Sequence, residues 1–140
     1  MPFELTDTHT CADIGLIATG NSLIELFSDS AFGLTSVMVE LNDVSDSRII
    51  PIEIYGDDLE NLFYHWLSEI IYLKDAEHFL LKNCVIELDE QNFVIKGKLT
   101  GDTIDSNRHI LKIDVKAVTY YKFKVEKIGL VWRGEVVFDL

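Results

Sequence analysis

Between residues 59 and 71, apolar side chains recur at Leu59, Leu62, Phe63, Trp66, Leu67, Ile70 and Ile71. That is the i, i+3, i+4, i+7 spacing of one helix face. The helix is expected to open at "DDLE", where Asp57 and Glu60 have the spacing of a capping box. A second stripe, Leu23, Leu26, Phe27, Ala31 and Leu34, predicts an earlier helix within 21–38. There Ser22 and Glu25 have the same capping spacing. Elsewhere the pattern is that of strands. "ADIGLIATG" (12–20) reads as a short buried strand ending at Gly20, and "IIPIEIYG" (49–56) as another. Pro51 puts the latter at a sheet edge or at a strand start, because proline has no N–H to donate. From residue 78 strands dominate. "FLLKNCVIEL", the turn "DEQN" and "FVIKGKLTG" predict a hairpin.

In "VKAVTYYKFKVEKI", period-two reading puts Val115, Ala117, Thr119, Tyr121, Phe123 and Val125 on one face. Lys116, Lys122 and Lys124 fall on the other. "LVWRGEVVFDL" is the last strand. "VELNDVSDSR" reads as a polar loop, and "LTGDTIDSNRHI" is expected to be an exposed loop. The whole predicts an α+β fold, two helices packed on largely antiparallel sheet, in a single compact domain spanning 1–140.

Composition narrows the function classes. At 140 residues with 48% hydrophobic and 26% charged content, the chain can bury one real core and is not disordered. The net charge of −12 is lopsided. Residues 1–73 carry 13 acids against a single base, Arg48, whereas residues 74–140 carry 11 of each. Gripping nucleic acid requires bases to displace phosphate counterions, so strong direct binding to RNA or DNA is not expected. An acidic half suits a cation or a basic protein surface, or simply keeps the chain soluble. The opening "MPFELTDTHT" lacks the basic and apolar regions of a signal peptide, and no apolar run reaches the ~18 residues of a membrane span. Cys11 and Cys84 form no metal-binding spacing and fit a reducing, cytoplasmic setting. The P-loop, dinucleotide-binding, nucleophile-elbow and H-E-x-x-H zinc signatures are absent.

Few residues remain as candidates for chemistry. His65 and His78 read as surface or boundary histidines, and Cys84 as a small core residue. Asp13 interrupts the apolar run "CADIGLIA". It is either an exposed strand-start acid or a carboxylate held by a partner or a metal, since an unpaired buried charge is costly. Asp139 poses the same alternatives beside Leu140. If the strands carrying them are neighbours, the two acids converge, and the terminal carboxylate of Leu140 makes a third oxygen donor for a hard cation such as Ca²⁺ or Mg²⁺.

The order of these segments resembles that of the archease family. "THTCADIGL" and "GNSLIELF" resemble its opening strand and first helix, and "DDLENLFYHWLSEIIYLKD" its second helix. "HILKIDVKAVTYYKFKV" and the closing "VVFDL" resemble its last two segments. The resemblance implies a non-catalytic accessory protein that activates an RtcB-type RNA-splicing ligase. Such a protein promotes guanylylation of the ligase's active-site histidine, and so multiple turnover, in GTP- and Mn²⁺-dependent tRNA splicing or RNA repair. It also implies a divalent metal (Ca²⁺, Mn²⁺ or Mg²⁺) on Asp13, Asp139 and Leu140, and places Lys116 at the family's functional lysine. His109 keeps its six-residue distance to Val115, in either a functional or a structural role. Two departures stand out. "HTCAD" carries Cys11 either as an insertion or, with Thr10, as a substitution, and Tyr121 stands where the family has histidine. The alternatives are an acidic, chaperone-like modulator of a tRNA-modifying methyltransferase and, ranked lower, a small metal-dependent hydrolase. Neither the residues nor the resemblance implies a membrane partner or fixes an oligomeric state.

Overall fold

The structure, a computed structural model, describes residues 3–7 and 13–140. In chain order the elements are β1 (Phe3–Asp7), β2 (Asp13–Gly20), α1 (Leu23–Met38), β3 (Arg48–Tyr55), α2 (Leu59–Glu77), β4 (Phe79–Asp89), β5 (Val94–Thr103), β6 (Ala117–Ile128) and β7 (Val131–Asp139). The strands form two antiparallel sheets, one ordered β1-β2-β7-β6 and the other β3-β5-β4. The α+β expectation holds, with the sheet split in two and an extra strand, β1, ahead of those read from the sequence. Pro51 lies on β3, an edge strand.

Helix α1 packs on β2, β7 and β4, and α2 on β6, β4, β3 and β5, so each helix touches both sheets. The predicted stripes supply the contact. Leu23, Leu26, Phe27, Ala31 and Leu34 are buried, as are Leu62, Phe63, Trp66, Leu67, Ile70 and Ile71. Trp66 crosses between the helices, its Nε1–H donating to the Phe27 carbonyl at 2.8 Å. No helix among the described residues is long and apolar enough to cross a membrane.

Ser22 caps α1 as expected, accepting from the Glu25 N–H at 3.1 Å. The cap of α2 lies one residue later than the Asp57/Glu60 pair. Asp58 is the N-cap and accepts from the Asn61 N–H, while the Asn61 side chain accepts from the Asp57 N–H. Glu60 instead takes the Val125 N–H on β6.

Three other expectations are corrected. The 39–48 stretch is not simply a polar loop, because Val39 and Val44 are buried against Leu80. In the supposed exposed loop 99–110, β5 continues to Thr103, and Asp102 and His109 are buried. On β6 the single alternation fails. Thr119 pairs with Val137 and Lys124 with Glu135, so five steps on β6 match two on β7. This irregularity centres on Lys122, whose φ is +54°. It reverses the parity. Before it the core-facing residue is Val118, after it Phe123 and Val125 turn inward, and Tyr121 is exposed.

Candidate metal site and the segment beside it

Strands β2 and β7 pair so that Asp13 lies directly opposite Asp139, with Ile14 opposite Phe138 and Ala117 of β6 on the far side of Asp139. Directly opposed residues share a face, with Cβ atoms about 4.5–5.5 Å apart. The adjacent row, Ile14, Phe138 and Val118, packs into the core. The row Asp13, Asp139, Ala117 therefore sits on the other face of the sheet. Asp139 is exposed and Asp13 half-buried. Ala117 adds little bulk next to Asp139. The Leu140 side chain packs on the core, which fixes the backbone that follows Asp139.

Two carboxylates facing each other across a strand pair repel, and pairing energetics alone disfavour the arrangement. Among the described residues no three His, Cys, Asp or Glu side chains gather as a metal cluster. Leu140, the third ligand that the resemblance implies, directly follows Asp139. Carboxylate oxygens are the donors that Ca²⁺, Mg²⁺ and Mn²⁺ prefer, so the donor chemistry fits a hard divalent cation. His9, Thr10 and Cys11 lie outside the described residues, and so does the choice between insertion and substitution at Cys11.

Lys116 immediately precedes β6, and its N–H donates to the Asp139 carbonyl at 2.8 Å. Its side chain is exposed. The run leading to it is held at successive points. His109 is buried, with Nδ1 accepting the Asp105 N–H at 2.8 Å and Nε2 3.0 Å from Asp102 Oδ2. The Lys112 and Ile113 N–H groups donate to the Met38 and Val37 carbonyls at the end of α1. Val115 is fully buried. The Lys74 ammonium donates to the Val115 carbonyl at 3.0 Å and pairs with Asp75 and Asp114. Burial pulls the Lys74 pKa down, but Asp114 and Asp75 outweigh it and hold it above the ordinary lysine value. Asp102 is likewise buried, which by itself raises its pKa. Hydrogen bonds from Arg108, Ser45 and His109 prevail and hold it well below the usual carboxylate range.

Of the residues singled out from sequence, Asp13, Asp139, Leu140 and Lys116 come together at one end of the β2-β7-β6 sheet. His109 belongs to a separate buried network with Asp102, Arg108 and Ser45 that shapes the segment before Lys116. His65 is exposed and edge-on to Tyr64, and His78 closes α2 in a left-handed conformation. Cys84 is a half-buried free thiol whose Sγ lies 3.5 Å from the Ser28 hydroxyl. Sequence reasoning missed Lys74 and Asp102. The signal for Lys74 was present, since it continues the buried stripe one turn beyond Ile70. Asp102 gave none, because Ser45 and Ser47 reach it from 57 and 55 residues away.

A profile of the archease protein family (MTH1598/TM1083) matches residues 3–140. The archease of Sulfurisphaera tokodaii is 36% identical over 132 residues, 94% of each chain. That of Archaeoglobus fulgidus is 35% identical over 141 residues, the whole of both. Among solved structures, that of Methanobacterium thermoautotrophicum protein 1598 superposes with a TM-score of 0.83 at 27% identity, covering 99% of this chain and 98% of that one. A Thermotoga maritima archease, described as a possible chaperone, gives 0.66 at 21% identity over 96% of both, which bears on the fold alone. On the profile and these full-length relatives, the chain belongs to the archease family.

Proposed function

We propose that this chain is a non-catalytic activator of an RtcB-type RNA ligase, acting through a divalent metal at Asp13, Asp139 and the Leu140 carboxylate, with Lys116 beside it. The observation that carries the reading is the direct cross-strand pairing of Asp13 with Asp139. Two opposed carboxylates are natural ligands of a hard divalent cation. A divalent cation held there would offer a positive centre to the phosphate oxygens of a nucleotide. Lys116, tied to the Asp139 backbone, would add a second positive charge whose position depends on the segment clamped by Lys74 and His109.

An accessory role is favoured over hydrolysis. Both ring nitrogens of His109 are engaged, and among the described residues no third acid or histidine joins the two aspartates as a general base. The test is to add trace amounts of the chain to its cognate ligase with GTP, Mn²⁺ and RNA bearing a 3′-phosphate and a 5′-hydroxyl. Multiple-turnover joining and histidine guanylylation are expected to rise. Asp13→Ala, Asp139→Ala and Lys116→Ala are each expected to reduce the stimulation by tenfold or more, the loss of one charge-assisted contact (about 1.5–3 kcal/mol). No stimulation by the wild type would refute the activator role. Full stimulation by both aspartate variants would refute the metal site alone.

A further inference from the structure

The irregularity in β6 brings Tyr120 flat against Tyr64 of α2, with ring centroids 4.5 Å apart and planes within 2°. Phe123 meets both rings edge-on at 5.9 Å. Tyr120 is nevertheless 67% exposed, so this stack leaves a tyrosine face open to solvent on an edge strand. Beside it is a shallow cavity of about 280 Å³ lined by Asp58, Glu60, Asn61, Tyr120 and Phe123. No base lines it. Asp58 and Glu60 each spend one oxygen on a backbone N–H, of Asn61 and of Val125, and each keeps a second oxygen.

We infer that this cavity is a docking slot for an arginine side chain of a partner protein, the guanidinium stacking on Tyr120 and pairing with Asp58 and Glu60. An aromatic face attracts a cation through its quadrupole, and the flanking carboxylates add direct charge attraction. Arginine is preferred to lysine because its planar fork stacks on a ring and meets carboxylates in two-point geometry. The same strand already uses a tyrosine in this way, with the Lys122 ammonium 5.5 Å from the Tyr121 ring centre. A nucleotide would also stack on an open ring, but its phosphate would face the two acids without a lysine in the lining. The slot is independent of the metal reading, and its test uses this chain alone.

The whole chain, labelled with ¹⁵N, is titrated with N-acetyl-arginine methylamide, its lysine and citrulline counterparts, and uridine 5′-monophosphate. Arginine is expected to shift the amides of Asn61, Tyr120 and Phe123, lysine to bind more weakly, and citrulline not to bind. Tyr120→Leu should weaken arginine roughly 2- to 5-fold, as expected for an exposed cation–π contact of about 0.5–1 kcal/mol. Tyr120→Phe should retain binding, and Asp58→Asn with Glu60→Gln, which preserve the backbone hydrogen bonds, should abolish it. Unchanged spectra elsewhere show that each variant is folded. Citrulline binding as well as arginine, uridine monophosphate binding more tightly, or no shift with arginine would each overturn the assignment.

Discussion

Asp102 and His109 fix each other's chemical state. An Nδ1 that accepts the Asp105 N–H carries no proton, so the neutral ring places its proton on Nε2 and donates to the Asp102 carboxylate. That carboxylate also takes hydrogen bonds from Ser47 and Arg108. A carboxylate with a folded pKa below its unfolded value stabilises the fold fully above the unfolded pKa of about 4 and loses that contribution as pH falls through the folded value. Asp102 is shifted in that direction. Asp102→Asn keeps the shape and removes the charge, so it is expected to cost about 1–3 kcal/mol near neutral pH. The difference from wild type should narrow below about pH 4, where the wild-type carboxylate begins to lose its advantage. Urea midpoints of both proteins between pH 7 and 3 measure this, and a constant gap across that range would show that the Asp102 charge is not responsible.

At the scale of elements, legibility depended on whether the governing signal was local. Both helices were readable because their apolar stripes coincide with the faces they bury, and Ser22 was readable because its capping partner is three residues away. The α2 cap was misplaced by one because "DDLE" offers two adjacent aspartates, and the Asn61 side chain, which selects Asp58, lies outside the box pattern. Strand β1 has too few apolar positions to stand out. Asp102 and His109 looked like loop residues because Ser45 and Ser47, which hold Asp102, come from a distant segment. Strand β6 misled for a different reason, since period-two reading assumes uninterrupted pairing and the extra residues around Lys122 exchange the two faces. Lys122 holds a left-handed φ of +54°, which costs a non-glycine residue roughly 1–2 kcal/mol. Lys122→Gly is therefore expected to raise stability by up to about 1 kcal/mol, allowing for the added freedom of the unfolded chain. Its thermal midpoint should rise by a few degrees. A lower midpoint would mean that the lysine's contact with Tyr121 outweighs the backbone strain.

Over the whole molecule, the register of β2 on β7 joins residues 126 positions apart in sequence, Asp13 and Asp139, across one strand pair. The candidate site was legible only in outline. The two acids could be named from the sequence, but their convergence depends on a strand pairing that spans most of the chain. The chain's net charge of −12 adds to the cost of opposing two more carboxylates. This leads to a prediction in which the sign of a mutation depends on metal. With chelator present, Asp139→Asn removes a like-charge pair and should be neutral or stabilising by about 0.2–1 kcal/mol. With Ca²⁺ or Mn²⁺ at a hundred times the dissociation constant, the wild type should gain about 2.7 kcal/mol by mass action, a midpoint rise of roughly 10 °C. The variant, lacking a ligand, should gain little, so the order of stability inverts between the two buffers. Thermal melts of both proteins across a metal titration measure the inversion. Equal shifts in the two proteins would place the binding elsewhere, and no shift in the wild type would refute the metal site.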